Sequence, residues 1–493
     1  MTVLKRFSAM FYVLSSLLLL LGIILFLPLS FSFIYDEGPT LYKAYIIPSI
    51  ISIFIGIILN LLIDKSYLKL DLAKSMILCT LGWVIVSLIG SIPFQIALDK
   101  SFIDSFFESV SGFTTTGITV FENLNNMPKS ILFWRSLIQW LGGLGILTFF
   151  LFVTFRNEGD VWQVFTAESH KINMSRPVPN IYKTIKILWS IYIFLTLLEL
   201  FILFSLDVSL FDSIIHSLTT LSTGGFSNYD QSIANFKLMG HSNYRIIEYV
   251  FIIFMFLGGI NFFIHYKILT GNIKEFFKNT ETKYYYRIIL LVTIIILFSK
   301  AYISDISSIE ENIRTTLFQV ISVMTTTGYG TEYIGSNFFP TIAKELFLIL
   351  MLIGGCVGST AGGVKVVRIV TLYKLFIREL KKIFLPKNTV LPITLDKTII
   401  EDNEVFKIAA LFFAWLLLIL VGSGITSVFS DLGALESLSG MLSAVGNIGP
   451  FYFSVEKMAS LSPVIKITYI FGMLAGRLEI LPIFIIFSRK AWK

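Results

Sequence analysis

Long apolar runs alternate along the chain with short connections that are either basic or rich in Thr, Ser and Gly. A helix rising about 1.5 Å per residue needs roughly 20 apolar residues to cross ~30 Å of hydrocarbon. Ten runs meet that demand and are predicted as spans, over about 11–33, 42–63, 74–97, 131–155, 184–206, 245–269, 285–303, 341–375, 405–429 and 463–488. Spans three and four, five and six, seven and eight, and nine and ten are each separated by a much shorter apolar segment, at approximately 103–113, 211–221, 313–324 and 434–444. Such a segment reaches only half-way across. A half-helix with a non-helical return is tolerated at membrane depth where it is buried in protein or lines water.

The predicted fold class is therefore an all-α polytopic membrane protein. Four pseudo-symmetric repeats of span, half-helix, loop and span surround one pore, at 67–160, 161–280, 281–395 and 396–493, behind an N-terminal two-helix hairpin at 1–66. Repetition of this length in a membrane protein points to a shared central site.

Each half-helix runs into a cluster of small polar residues: Thr114-Thr115-Thr116-Gly117-Ile118-Thr119, Ser222-Thr223-Gly224-Gly225-Phe226-Ser227, Thr325-Thr326-Thr327-Gly328-Tyr329-Gly330 and Asn447-Ile448-Gly449-Pro450. The third is close to the Thr-Val-Gly-Tyr-Gly loop whose carbonyls replace the water shell of K⁺. A carbonyl filter needs four strands around one axis, and this chain carries four. The predicted ion-contacting residues are Thr115, Thr116 and Gly117; Ser222, Thr223 and Gly224; Thr326, Thr327 and Gly328; and Asn447, Ile448 and Gly449. Gly117, Gly224, Gly328 and Gly449 set the period, 107, 104 and 121 residues apart. Aligned carbonyls require residues at φ > 0, which glycine reaches without Cβ strain. The C-terminal partial negative charge of each half-helix favours a cation. Asp104, Glu108, Asp212, Glu332 and Glu436 are candidate cation-concentrating acids at the outer mouth. The alternative, that the clusters only cap re-entrant turns, does not explain four of them in phase with the spans.

Composition agrees and narrows the choice. Of 493 residues, 55% are hydrophobic and 14% charged, which excludes an ordinary soluble domain. The first span follows Lys5-Arg6 but is too long for a signal peptide, lacks a small-residue cleavage site and is followed at once by another span. Two isolated cysteines, Cys79 and Cys356, and four histidines supply neither a disulfide framework nor a metal site. The net charge of +7 does not imply nucleic acid, because the basic residues collect in alternate loops. They concentrate at 156–186 (Arg156, Lys171, Arg176, Lys183, Lys186), 265–287 and 365–397, while the Thr/Gly loops hold few. By the positive-inside rule the termini are cytoplasmic and the four clusters face outward. No span carries Arg or Lys at every third residue, so a voltage sensor is excluded. No acidic metal cluster or nucleophile constellation supports a membrane-embedded transferase, and the chain is read as a non-enzyme with no bound cofactor. A Gly-x-Gly-x-x-Gly dinucleotide motif is likewise missing.

Span eight contains a glycine-rich stretch with Gly354, Gly355, Gly358, Ser359, Thr360, Gly362, Gly363 and Lys365. Each glycine costs a helix about 1 kcal/mol relative to Ala, so this stretch is predicted to unwind and line a cavity. Close packing through small residues is the alternative. Arg477 is read as mid-way along span ten, facing protein or water rather than lipid; an ion pair with Glu479 or with a neighbouring helix's carboxylate, serving only assembly, is the bland alternative. Lys365 either snorkels to the cytoplasmic surface or adds positive charge to this stretch. Glu199 in span five and His216 in the second half-helix are read as buried structural groups, with Glu199 the proton site if transport is proton-coupled.

Together these motifs resemble the Trk/Ktr/HKT superfamily of K⁺ transporters, specifically its TrkH-type branch, over nearly the whole chain. The extra hairpin at 11–63 fits that branch, whereas Phe451 stands where the family's fourth motif continues with glycine after Gly-Pro. The resemblance implies K⁺ uptake across a bacterial cytoplasmic (inner) membrane, with Rb⁺ also permeant. It implies a mobile intramembrane loop at span eight and an arginine, Arg477, projecting into the path. Glycine in all four loops implies K⁺ preference over Na⁺. A homodimer and a separate cytosolic nucleotide-binding regulatory subunit are also implied, with the basic loops at 267–287 and 374–387 as candidate docking surfaces. Proton- or sodium-coupled symport and a less selective K⁺/Na⁺ channel remain the alternatives.

Overall fold

The computed structural model describes residues 7–63, 71–145, 148, 181–303, 308–386, 389–396 and 398–492. The expected boundaries at 66/67 and 160/161, and Arg156, Lys171 and Arg176 of the first basic loop, lie outside the described residues.

Among the described residues, six helices are long and apolar enough to cross a membrane. The first, Ser8–Ile34, is divided at Leu25 into α1 (Ser8–Ile24) and α2 (Phe26–Ile34); the others are α3 (Pro39–Leu62), α4 (Leu72–Leu98), α7 (Ile181–Ser205), α11 (Thr280–Ile303) and α15 (Asp402–Phe429). The N-terminal hairpin closes through small residues. Ser49 Oγ donates to Gly22 O and Ser52 Oγ to Leu18 O, both at 2.7 Å, so α1 and α3 approach closely without large side chains between them.

The four short segments are helices of half-membrane length: α5 (Phe102–Phe113), α8 (Leu210–Leu221), α12 (Ile309–Met324) and α16 (Ala434–Gly446). Their starts share one device. Ser101, Ser209 and Ser308 each accept from the backbone N–H three residues on, satisfying a donor the helix itself leaves orphaned. The fourth begins at Gly433, and Glu436 reaches back to its N–H at 2.8 Å. The motif of Ser or Gly followed three residues later by Asp or Glu thus recurs in phase.

In the last three repeats the second span is interrupted where it passes the C-terminal end of a half-helix. The interrupted helices are α9 (Tyr244–Gly258) with α10 (Phe262–Leu269), α13 (Thr341–Ile353) with α14 (Val366–Lys382), and α17 (Pro463–Arg477) with α18 (Leu481–Ile486); in the first repeat α6 spans Lys129–Gly143. Span eight breaks where its glycines predict. Spans six and ten, expected to be continuous, also break: α9 and α10 meet at 102°, and Arg477 is the last residue of α17 rather than a mid-helix residue.

Every half-helix packs between the spans before and after it. It also packs on the second span of the preceding repeat: α8 on α6, α12 on α9, α16 on α13, and α5 on α17. The last contact closes the circle. One departure from an all-α chain is a two-stranded antiparallel hairpin, β1 (Ile393–Leu395) with β2 (Thr398–Ile400), which straddles the expected 395/396 boundary.

Candidate functional site

The four half-helices end alike. Thr115, Thr223, Thr326 and Asn447 all lie in the left-handed region, at φ 56, 52, 57 and 54. The next N–H, of Thr116, Gly224, Thr327 and Ile448, returns to the carbonyl five residues earlier (Ser111, Thr219, Ser322, Ser443) at 2.9–3.0 Å. These are the Schellman bonds that end a helix, a turn in which glycine is the usual left-handed residue. A β-branched threonine is strained there. Two of the three threonines turn that conformation to use, because Thr115 Oγ1 accepts from Arg477 and Thr326 Oγ1 from Gly362 N–H.

This shared frame corrects one expectation. The structural counterparts are Gly117, Gly225, Gly328 and Gly449, all at positive φ (80, 71, 84 and 112), so the second loop's glycine is Gly225 and not Gly224. Ser222 is a helix C-cap like Thr114 and Thr325 and sits one position before the loop proper. The Gly-Gly pair in that cluster hides the frame from anyone reading the sequence alone.

The glycines also show how the loops meet. A Cβ on Gly117 would overlap the carbonyl oxygen of Gly224, one on Gly225 that of Thr327, and one on Gly328 that of Ile448. A Cβ on Gly449 would stand 3.2 Å from Thr116 O. Loop one therefore abuts loop two, two abuts three, three abuts four, and four returns to one. All four glycines line a single cavity of about 700 Å³ that also takes in Arg135, Asp230, Lys237 and Glu332. Gln139 braces the second loop, donating to Gly224 O at 2.6 Å and accepting from Phe226 N–H at 3.0 Å.

The acids expected at the mouth divide into different roles. Glu332 lines the cavity. Asp104 and Asp212 accept from the capping serines, Asp104 also pairs with Lys466 at 2.6 Å, and Glu436 caps α16. Glu108 is not at the mouth. It is fully buried against Arg135 at 2.8 Å, and Arg135 Nη1 donates onward to Ser227 O of the second loop. A second buried pair, Arg314 of the third half-helix with Glu248 of α9, ties that half-helix to the span before the repeat. His216 is satisfied at both ring nitrogens, with Asp212 O at 2.9 Å and Ser227 Oγ at 3.2 Å. Glu199 is buried beside Thr220, and its carboxylate makes no hydrogen bond of normal geometry among the described residues.

Beneath the loops the unwound segment Gly354–Lys365 crosses the bundle. Gly354, Gly358, Gly363 and Lys365 adopt positive φ. Thr360 Oγ1 donates to Leu221 O at the end of α8, at 2.9 Å. Gly362 N–H donates to Thr326 Oγ1 at 2.6 Å, and Gly363 N–H to Gly446 O at the end of α16, at 3.0 Å. A Cβ on Gly362 would overlap Gly446 O. Gly355 packs on Ala361, Ser359 Oγ turns back to Cys356 O, and Lys365 Nζ caps Ala361 O. Arg477 supplies the remaining side. Its guanidinium donates to Thr115 Oγ1 (3.2 Å), Thr360 O (3.1 Å), Gly143 O (2.6 Å) and Gly142 O, and faces the Trp83 ring. The segment and Arg477 together reach all four half-helix ends. Glu479, one of the carboxylates weighed as an alternative partner for Arg477, pairs instead with Arg368. A cavity of about 100 Å³ lies here, lined by Trp83, Gly143, Ser359, Lys365, Arg477 and Glu479.

Comparison with known proteins places this geometry. A family model described as TrkH, a cation transport protein, matches residues 42–493. The chain belongs to the TrkH family. It is 33% identical to an uncharacterized cation transporter of Methanocaldococcus jannaschii, covering 99% of this chain and 97% of that protein. It is 30% identical to the Trk system potassium uptake protein TrkH of Escherichia coli (strain K12), covering 99% and 100%. The crystal structure of the potassium transporter TrkH from Vibrio parahaemolyticus superimposes with a TM-score of 0.87 at 28% identity, covering 99% of this chain and 100% of that one. This TrkH-family chain is thus a multi-span membrane protein for cation transport and not an enzyme. Within it the sequence reading missed a recurring doublet where α6, α9, α13 and α17 end: Gly142-Gly143, Gly258-Gly259, Gly354-Gly355 and Gly476-Arg477. Arg477 occupies the position that is glycine in the other three, a signal that was readable once the frame was known.

Proposed function

We propose that this protein conducts K⁺ into the cell, with ions dehydrated by carbonyls of the four loops. The observation that carries this reading is the closed order of glycine-to-carbonyl contacts, Gly117 to loop two, Gly225 to loop three, Gly328 to loop four and Gly449 back to loop one. Four loops meeting in that way supply carbonyl oxygens from several directions at once, which a dehydrated cation requires. The relatives named for potassium uptake support K⁺ as the ion. Four pseudo-symmetric repeats around this pore, with the boundaries expected from sequence, belong to the same proposal. So do cytoplasmic termini, outward-facing loops, a homodimer and a separate cytosolic nucleotide-binding regulator.

The segment Gly354–Lys365 is the proposed gate, and Arg477 the proposed electrostatic barrier. A fixed guanidinium beneath the loops repels a cation in a medium of low dielectric constant, while its hydrogen bonds hold the segment across the path. Purified protein in liposomes is expected to take up ⁸⁶Rb⁺ and to be competed by K⁺ far better than by Na⁺. Equal competition by both ions rejects the selectivity reading.

Proton-coupled symport is the second reading, favoured by the buried Glu199 carboxylate. Uptake driven by an imposed pH gradient, and lost in Glu199→Gln, would select it over a gated channel.

A further inference from the structure

Glu281, the second residue of α11, takes no part in the four loops, yet it is tied to the gate at two points. Its side chain is buried, with the residue 5% exposed. One carboxylate oxygen, Oε1, accepts from Val357 N–H at 2.8 Å and from Val367 N–H at 3.1 Å. Val357 lies inside the unwound segment, and Val367 lies in the first turn of α14 just beyond it. The N-cap of α14, Lys365, gives that helix no side-chain cap, so Glu281 supplies from another element the acceptor that the orphaned N–H needs. A single oxygen therefore clamps both sides of the unwound segment. The segment's other N–H and hydroxyl donors reach backbone carbonyls and a hydroxyl of neighbouring elements, which are weaker partners than a carboxylate, while Arg477 donates to Thr360 O within it.

The position of Glu281 is in turn set from the β1–β2 hairpin. Asp396, exposed at the hairpin turn, accepts from Thr280 N–H at 2.9 Å and Thr280 Oγ1 at 2.6 Å through Oδ1. Its Oδ2 accepts from Asn279 Nδ2 at 3.2 Å. Lys374 Nζ of α14 donates to Thr394 O of β1 at 2.6 Å. The hairpin thus grips the residue next to Glu281 and the helix that follows the gate.

We propose that Glu281 is a positioning residue that latches the gate segment closed, and that the Asp396 turn is the exposed handle through which a cytoplasmic contact shifts it. This rests on the reading of Gly354–Lys365 as the gate. Opening requires Val357 to leave Glu281 while Val367 keeps its partner, so one bond to a carboxylate is broken for each opening.

The native thiols provide a readout separate from flux. Cys356 lies buried next to Val357, and Cys79 is buried in α4. In a Cys79→Ser background, the limiting rate of maleimide modification of Cys356 at saturating reagent, in the full-length protein in liposomes, reports opening of the segment independently of the thiol's own reactivity. Glu281→Ala is expected to raise both that rate and ⁸⁶Rb⁺ flux by roughly tenfold or more, the scale of one charge-assisted hydrogen bond. Glu281→Gln, which keeps an acceptor oxygen, is expected to fall between, and Asp396→Ala to raise both by less. If Arg477→Ala raises flux while Glu281→Ala changes neither quantity, the latch is refuted and the gate reading stands. If neither variant raises flux, the gate reading fails and takes the latch with it. Should Glu281→Ala not be recovered folded, Glu281→Gln decides: modification of Cys356 at the parental rate overturns the latch.

Discussion

Replacing Gly225 by alanine tests the frame in which the four loops meet. Gly225 has φ 71, and a Cβ there would overlap Thr327 O of the next loop. The left-handed backbone costs an L-residue about 1–2 kcal/mol. Relieving an overlap inside a packed core costs a further ~1–3 kcal/mol. The relief must come from backbone movement, because the obstructing atom is a carbonyl and not the end of a side chain. That carbonyl is one of the four proposed to bind the ion. A change of only about 1.4 kcal/mol in the relative binding of two ions alters their selectivity tenfold, so Gly225→Ala is expected to lower the Rb⁺-over-Na⁺ preference at least that much. The measurement is ⁸⁶Rb⁺ uptake into liposomes against increasing Na⁺. Gly224 provides the contrast: the atoms nearest to a Cβ there belong to the side chain of Gln139. Gly224→Ala in a Gln139→Ala background is expected to keep more of the preference than Gly225→Ala in the same background. The reverse order would refute the frame, and an unchanged preference in Gly225→Ala would refute the role of its neighbouring carbonyl.

Other consequences follow from the same contacts. Arg477→Ala removes donors to Thr115, Thr360, Gly142 and Gly143 together with a fixed positive charge. Unregulated flux should rise, and unaltered flux in a folded variant would retire the barrier. Gly362→Ala pushes the gate segment off Gly446 O and should raise leak; a leak equal to the parent's would contradict the gate. Glu108→Ala leaves Arg135 buried and uncompensated, with side chains 0% and 1% exposed. A loss of about 3–5 kcal/mol is expected, read as a fall in the thermal midpoint in detergent; a midpoint within error of the parent would contradict it. Lys237→Ala, by contrast, breaks a pair whose side chains are 50% and 38% exposed, and should cost at most about 1 kcal/mol.

Much of the architecture is legible in the amino-acid order because the membrane imposes lengths. Phe102–Phe113 and Leu210–Leu221 start one residue earlier than expected and end where expected, since twelve residues cannot span and a capping serine marks each start. The third start is less visible. Ile309–Met324 begins four residues before the expected segment, because Glu310, Glu311 and Arg314 break the apolar run while favouring a helix. Breaks are legible only where glycine is dense. Five glycines announce the one in span eight. Span six has a lone Gly258-Gly259 before Asn261, and span ten has only the separated Gly472 and Gly476. There the turn is made by Glu479 and Ile480 at φ 55 and 71, and a β-branched residue at positive φ is not something composition foretells. Glu108 looked like a mouth acid because its buried partner, Arg135, is 27 residues away and belongs to the next span. The identity of Glu281 as a gate contact is of the same kind, a side chain meeting backbone N–H groups 76 and 86 residues distant.

The most direct measurement is the position of Rb⁺ in the folded protein, located by anomalous scattering from crystals grown in Rb⁺. Density is expected on the axis enclosed by Thr116, Gly224, Thr327 and Ile448, within coordinating distance of main-chain oxygens. Four loops standing apart, or Rb⁺ held elsewhere by carboxylates with none among these residues, would contradict a filter made of backbone carbonyls.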